Sequence, residues 1–206
     1  MKDLRKEHKL IDLFCELVSI PSPSLREEKV IEKILAIFQE NNIEAKTDNY
    51  GNIRAFIPAT DTNKKPISLS AHMDVVGDDS PVNIKLNGNI IETDKTRTLG
   101  ADDKAGVAAA IMLAIETINN KELKHGGLEI IFTRDEEQNM SGIENIDMNN
   151  IESEFILVLD ADRLGQVQIS FANSAINFAA FNLVSSSISM PECPPFKAST
   201  LIVNFV

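Results

Sequence analysis

The sequence predicts an α/β fold in which a mainly parallel sheet carries helices on both faces. Two segments, residues 128–132 (LEIIF) and 155–159 (FILVL), are apolar at almost every position, as is typical of strands buried on both faces. Residues 30–38 and 102–118 instead place their apolar side chains at helical spacing. Helices that alternate with fully buried strands favour an open α/β sheet.

The elements follow one another in a definite order. A helix over residues 10–18 comes first, and Ser24 and Glu27 have the spacing of a capping box in front of a second helix. Residues 49–52 (NYGN) have the composition of a turn between two short strands. The remaining predicted elements are strands at 44–47, 53–57, 66–74, 128–132 and 155–159, a loop at 94–100 and a helix at 102–118.

Length and composition exclude several classes of protein. The 206 residues, 43% hydrophobic and 25% charged, suffice for one α/β domain, or for one domain and the start of another. The net charge of −11 argues against nucleic-acid or anionic-membrane partners, because phosphate groups repel such a surface. The first ten residues are charged throughout and no apolar run approaches about 20 residues, so we expect a cytoplasmic protein. Cys15 and Cys193 are too few for a disulfide framework.

The character of the sequence changes after about residue 170. Residues 175–184 are compatible with a strand, and 185–195 form a Ser/Pro-rich linker. An apolar stretch at 197–206 then stops abruptly, which we interpret as truncation. We therefore expect one domain at 1–170, followed at 171–206 by the incomplete beginning of a second.

Polar side chains of the types that bind metals stand where the predicted strands end. His72 and Asp74 close one strand, and their separation of two residues places them on the same side. Three other segments end or begin in acidic residues: Asp102 and Asp103 at a helix start, Glu136 and Glu137 after a strand, and Asp160 at the end of the next. Because the carboxyl ends of strands form the binding crevice of an open α/β sheet, we expect these groups on one rim.

Each of these motifs taken alone is usually a solvated or capping group, but all four occur together at ends of elements. So many carboxylates a few ångströms apart raise one another's pKa values, and a divalent metal pair relieves that repulsion. Imidazole and carboxylate without thiolate suit zinc, with cobalt or manganese as alternatives.

Four motifs carry a family resemblance: HMDVV at 72–76, TLGADDKAG at 98–106, FTRDEE at 132–137 and LDAD at 159–162. Together they resemble the peptidase T branch of the co-catalytic di-zinc exopeptidases. The resemblance implies the zinc-exopeptidase catalytic domain, which is phosphorylase/hydrolase-like, over residues 1–170. It also implies that residues 171–206 begin a small α+β lid domain, through which the full-length protein would form a homodimer.

The same resemblance implies a set of metal ligands. Asp102 would bridge two zinc ions, His72 and Asp160 would complete one of them, and Glu137 would bind the other. Family members supply a further histidine to the second ion after the lid, whereas none of the three histidines here follows Asp160. We therefore expect the chain to hold about one metal ion and to have very low activity on its own.

Two further residues receive catalytic roles by resemblance. Glu136 would be the general base that acts on a metal-bridged hydroxide, and Asp74 would stand behind His72 and fix its tautomer. The resemblance also implies a cis peptide bond between Asp102 and Asp103.

The expected function is that of a metal-dependent exopeptidase, of the aminopeptidase or di- or tripeptidase type, which cleaves short peptides. An amidohydrolase of N-acylated amino acids would use the same di-zinc site. A truncated, non-catalytic remnant that binds metal or a partner is the alternative from another class. A nucleotide-binding domain is disfavoured, because neither GxxxxGK[ST] nor GxGxxG follows any predicted strand.

Overall fold

The computed structural model describes Arg5 and residues 8–88, 90–153 and 155–160, together with the backbone of 167–168 and 201–203. Its three long helices are α1 (Lys9–Val18), α2 (Glu28–Glu40) and α3 (Ala101–Asn119). A single helical turn, α4 (Ser141–Glu144), and a 3-10 turn at Met148–Asn150 follow later in the chain. The predicted helices at 10–18, 30–38 and 102–118 are thereby confirmed. None of the described helices combines the length and apolar character that a membrane span requires.

The capping box predicted at the start of α2 is wrong. Glu27 is the residue before the first helical turn, but no side chain caps the helix there. The hydroxyl of Ser24 instead donates to Asp74 Oδ2 at 2.7 Å, and the carboxylate of Glu27 accepts from Arg134. Partners that are distant in sequence have replaced the local ones, because both side chains are buried against the ends of two strands.

Nine strands are present in the described residues. They are β1 (Ala45–Thr47), β2 (Ile53–Ile57), β3 (Ile67–His72), β4 (Ile84–Asn87), β5 (Ile90–Thr93), β6 (Leu128–Thr133), β7 (Phe155–Val158), β8 (Val167–Gln168) and β9 (Leu201–Val203). Seven of them form one sheet in the order β1-β2-β6-β3-β7-β9-β8. The four consecutive strands β6, β3, β7 and β9 run parallel, whereas β1, β2 and β8 pair antiparallel. The predicted α/β class is confirmed as a mixed sheet with a parallel centre.

The core joins the long helices to alternate residues of the central strands. Leu69 and Ala71 of β3 and Ile130 and Phe132 of β6 belong to one buried cluster with the apolar faces of α1, α2 and α3. Phe132 stacks on Phe38 of α2 with ring centroids 6.2 Å apart. This packing holds β3 and β6 side by side, so that His72 lies opposite Thr133 where both strands end.

A two-stranded hairpin, β4–β5, was not predicted. Its strands pair antiparallel around a turn at Gly88, which has φ 62°. No residue of either strand is fully buried, and Ile90 is 60% exposed. The sequence does carry a signal for it, because Ile84 and Leu86 alternate with polar residues and Asn87-Gly88 is typical of a hairpin turn.

Several predictions fall on residues outside those the structure describes. These are Asp162, Cys193, the strand at 175–184 and the linker at 185–195. The backbone at 201–203 is described, and it pairs with β7 within the main sheet. The domain division at 170/171 stays a prediction.

Candidate metal centre

His72, the last residue of β3, stands at the centre of the polar rim. Its side chain is 3% exposed. Nδ1 donates to the backbone carbonyl of Asp74 at 2.9 Å and lies 3.4 Å from Asp74 Oδ1. Nε2 points to the other side, where it lies 3.0 Å from Asp102 Oδ1. The ring is therefore oriented by Asp74, and its second nitrogen is presented to the carboxylates of the rim.

The start of α3 separates two adjacent carboxyl groups. Gly100 precedes it with φ 74°, and a Cβ at this position would lie 2.8 Å from Val75 Cγ1. The Asp102–Asp103 peptide is cis, as the sequence resemblance implies, and both residues have non-helical backbone angles. The side chain of Asp102 is 71% exposed on the rim, whereas Asp103 is 3% exposed.

The loop after β6 brings two glutamates to the same place. Backbone N–H groups of Glu136 and Glu137 donate to Asp74 Oδ1 and Oδ2, each at 3.0 Å. Asp74 itself is completely buried. Its carboxylate thus connects the loop after β3 with the loop after β6, and it leaves the side chains of both glutamates facing the rim.

Six site residues were named from the sequence, and the structure brings all six together: His72, Asp74, Asp102, Glu136, Glu137 and Asp160. The nitrogen Nε2 of His72 is 4.0 Å from Glu136 Oε2 and 4.0 Å from Asp160 Oδ2. Possible ligand atoms of His72, Asp102 and Glu137 all lie within 4.8 Å of one another. Ligands about 2 Å from one shared ion would lie about 4 Å apart or less, so a small closure of this cluster accommodates a metal.

The electrostatics of His72 show how acidic this rim is. Burial by itself lowers the pKa of His72, but the hydrogen bond with Asp74 and the negative charges of Asp103, Asp74 and Asp160 raise it to about 10. A buried imidazole ordinarily prefers to be neutral. In the absence of another cation, the cluster therefore keeps a proton on its only imidazole.

The pKa values of three carboxyl groups in or beside the site are raised as well. Burial, as the largest cause, raises the pKa values of Glu136 and Glu137, and the neighbouring carboxylates raise them further against the opposing effect of His72. Burial raises the pKa of Asp103 to about 8, and its Oδ2 is buried without a hydrogen-bond partner in the described residues. The donor set of one imidazole and an excess of carboxylates is chemically suited to a divalent cation such as zinc.

One buried charged residue beside the site was not predicted from the sequence. Lys104 follows the two aspartates at the start of α3 and is 1% exposed. Its ammonium donates to the carbonyls of Leu17 and Ile20 at the end of α1. Burial, with a contribution from Arg97, lowers the pKa of Lys104 to about 7. A lysine in a helix usually faces solvent, and only its placement between Asp103 and a run of small apolar residues hinted otherwise.

Comparison with known proteins places the chain among metallopeptidases. The model of peptidase family M20/M25/M40 matches residues 68–171. The cytosol non-specific dipeptidase of Escherichia coli is 30% identical over 175 residues, which are 79% of this chain and 35% of that protein. Peptidase T of Clostridium novyi is 30% identical over 190 residues, which are 74% of this chain and 46% of that protein.

Among solved structures, the aminopeptidase PepT of Bacillus cereus superposes with a TM-score of 0.73 at 29% identity. The match covers 78% of this chain and 45% of PepT. The chain thus spans about half the length, or less, of these relatives.

Proposed function

The chain belongs to peptidase family M20/M25/M40, and on that premise we propose that its polar rim is the metal-dependent hydrolytic site of an exopeptidase for short peptides. The observation that carries the proposal is the convergence of His72 with carboxylates from three other segments within 3.0–4.0 Å. The similarity to a dipeptidase and to peptidase T supports short peptides as the substrate class.

The residues present fit one divalent metal ion and provide part of the ligand set for a second, for which we propose zinc, with cobalt or manganese as alternatives. Asp102 would bridge the pair, His72 and Asp160 would hold one ion, and Glu137 would hold the other. When bound, such a pair polarises the scissile carbonyl and lowers the pKa of a water molecule from about 15.7 toward about 7. The exposed carboxylate of Asp102 lies 3.0 Å from His72 Nε2, which supports its proposed role as a metal ligand.

Glu136 is the proposed general base. Its backbone is held by Asp74, while its side chain remains about one-third exposed and reaches toward His72. Burial raises the pKa of Glu136, which makes its carboxylate a better proton acceptor near neutral pH. Oε2 would take a proton from the attacking water and deliver it to the nitrogen of the leaving amine. Two adjacent glutamates are needed because one binds metal and the other must remain free for the proton.

The proposed role of Asp74 is to orient the site without touching the substrate. Its backbone carbonyl accepts from His72 Nδ1, its Oδ1 lies 3.4 Å from the same nitrogen, and its carboxylate accepts from the backbone N–H groups of both glutamates. Asp74 would therefore fix the tautomer of His72 and the position of both glutamates. Partners of this kind commonly change metal affinity or activity 10- to 100-fold when removed.

For the whole protein we also propose a domain organisation and a location. Residues 1–170 would be the first part of the catalytic domain, and 171–206 would begin a lid through which two copies pair. A cytoplasmic location and peptide substrates complete it.

The test is Glu136→Gln in the full-length protein, with Glu122→Gln on an exposed loop as the matched control. We expect zinc content to remain that of the parent while kcat on di- and tripeptides falls about 10²–10⁴-fold, because the base is lost and the ligands remain. Activity near the parent level with zinc retained would assign the base to another residue.

The same assays separate the alternative functions. N-acylated amino acids cleaved in preference to free peptides would indicate an amidohydrolase. A parent protein that binds zinc but cleaves neither class of substrate would indicate a non-catalytic remnant. Metal analysis of the 206-residue chain should give about one zinc ion.

A further inference from the structure

The connection between α1 and α2 sends three buried polar side chains to the two loops that carry the metal centre. We propose that Ser24 and Glu27, supported by Ser22, are positioning residues of that centre. The connection, residues 22–27, would fix how far the loop after β3 stands from the loop after β6. This inference rests on the proposed function, because it assigns a role to residues around the same site.

On the β3 side, the connection is bonded to three successive residues. The Ser22 hydroxyl donates to the carbonyl of Met73 at 2.8 Å, and Val75 N–H donates to the carbonyl of Ser22 at 3.0 Å. Between them, the Ser24 hydroxyl donates to Asp74 Oδ2 at 2.7 Å. Ser22 is completely buried and Ser24 is 8% exposed, so water does not compete for these bonds. The backbone and the carboxylate of Asp74 are thus both held from the same segment.

On the β6 side, Glu27 holds the two residues that precede the glutamates. Its carboxylate is completely buried, and Oε1 accepts from the N–H groups of Leu25 and Asp135, each at 3.0 Å. Oε2 accepts from Arg134 Nε at 2.7 Å. Asp135 has φ 56°, a left-handed conformation that turns the chain just before Glu136. Glu27 therefore stabilises the turn that aims both glutamates at the rim.

These contacts form a closed circuit. Ser24 bonds Asp74, Asp74 accepts from the backbone of Glu136 and Glu137, and Glu27 accepts from the residue before them. A buried carboxylate is destabilising unless its charge is fully paired, and Glu27 directs its charge to a site loop and not into the apolar core. The circuit leaves the relative position of the two loops little freedom before any metal binds.

If these contacts position the ligands, their removal should change metal affinity and not only the stability of the fold. Groups that orient metal ligands typically change metal affinity or activity 10- to 100-fold when they are removed. Loss of the Ser24 hydroxyl leaves Asp74 Oδ2 with one donor of the two, Glu137 N–H, and loss of the Glu27 charge weakens the hold on the turn at Asp135. Either change should alter the coordination geometry.

The experiment uses Ser24→Ala and Glu27→Gln in the full-length protein loaded with cobalt(II). Ser19→Ala is the matched control for the first, because Ser19 donates to the carbonyl of Cys15, outside the site. Glu28→Gln controls the second, because Glu28 binds Arg134 Nη2 at 2.8 Å but is 63% exposed and bonds no loop backbone within the part of the chain that the structure describes. Ser24→Thr restores the hydroxyl.

We expect the two test variants to bind cobalt about 10- to 100-fold more weakly in competition with a chelator and to shift its d–d absorption bands. The value of kcat should fall while KM changes less, and Ser24→Thr should recover both the affinity and the bands. The two controls should behave like the parent. Urea unfolding of every variant separates a change in stability from a change at the metal.

Parent-like cobalt affinity and d–d bands in both test variants, with only the unfolding midpoint lowered, would overturn the inference and leave residues 22–27 a purely structural role. If Glu27→Gln does not fold, the comparison of Ser24→Ala with Ser24→Thr decides on its own. The cobalt readout does not depend on hydrolysis. A parent that binds cobalt but cleaves no peptide would therefore refute the proposed function and still decide the positioning role.

Discussion

Asp74 just after β3 and Asp103 at the start of α3 are both buried beside His72, yet their pKa values are shifted in opposite directions. Burial raises both pKa values, but hydrogen bonds from His72, Ser24 and the backbone lower that of Asp74 to about 2. Burial raises the pKa of Asp103 to about 8. The main groups that oppose this rise are His72 and a single backbone N–H, that of Gly106.

The difference shows that the number of donors, and not burial alone, decides the charge of an acid in this site. Asp74 has a donor for each oxygen and is a built-in anion at every physiological pH. Asp103 has one oxygen without a hydrogen-bond partner in the described residues, and it keeps its proton until a cation approaches. Asp74 thus keeps a fixed charge and orients its neighbours, whereas the charge of Asp103 changes when a cation binds.

Asp74→Asn should have the largest effect, because it places an NH2 group against the hydroxyl and backbone N–H donors that surround the carboxylate. Removing one partner from a buried, charged hydrogen-bond network typically destabilises by about 3–5 kcal/mol, so we expect a loss of that order in urea unfolding. Metal affinity should fall about 10- to 100-fold as well. Unchanged metal affinity would show that His72 and the glutamates are oriented without Asp74.

Asp94→Asn is the control for this substitution. The pKa of Asp94 is also lowered to about 2, by hydrogen bonds from Thr96 and Asn83, but Asp94 is partly exposed and lies after β5, outside the metal centre. Its replacement should leave metal affinity unaltered.

Metal affinity should rise with pH. In the metal-free protein His72 is protonated at neutral pH, since its pKa is raised to about 10, whereas a ligating imidazole must be neutral. Binding should therefore release at least one proton and strengthen about tenfold per pH unit for each proton released, or at least about 100-fold between pH 6 and 8.

Calorimetry in buffers of different ionisation enthalpy counts the released protons. His125→Ala is the control, because His125 stands before β6 at the opposite end of that strand from the rim and should not alter the slope. An affinity independent of pH over this range would show that His72 is neutral before the metal binds.

The sequence allowed most of the site to be predicted, because ligand residues lie at the ends of strongly apolar strands. His72, Glu136 and Asp160 could be placed on one rim from strand ends alone. The roles of Ser24 and Glu27 could not be predicted, because their spacing also satisfies the rule for a helix cap. Contacts over 50 and 108 residues of sequence decide between the two, and no local pattern reports them.

The hairpin at 84–93, in contrast, could have been predicted, because Ile84 and Leu86 alternate with polar residues before an Asn87-Gly88 turn. The burial of Asp103 could not. The family resemblance assigns a metal role to Asp102, but no local pattern predicts that the backbone at the start of α3 exposes Asp102 and buries Asp103.

The smallest effect, and the one with an unusual sign, is expected for Asp103→Asn in the metal-free protein. An unfolded Asp103 ionises near pH 4, whereas the folded one keeps its proton up to about pH 8. The folded state therefore binds more protons between these values, and the parent loses stability as pH rises through the interval. Asparagine keeps the acceptor for Gly106 N–H and has no proton to lose, so the variant should escape this loss. Its stability relative to the parent should grow by about 1–2 kcal/mol between pH 4.5 and 6, at up to about 1.4 kcal/mol per pH unit.

Urea unfolding across pH 4.5–6 in the presence of a chelator measures this difference, in a range where an unfolded histidine stays largely protonated in both proteins. The opposite sign distinguishes the two aspartates, since the stabilisation by Asp74 is present above about pH 4 and is lost as pH falls toward 2. An Asp103→Asn variant that loses stability relative to the parent as pH rises would mean that Asp103 is ionised in the folded protein. Both acids would then be fixed anions, and the proposed contrast between Asp74 and Asp103 would fail.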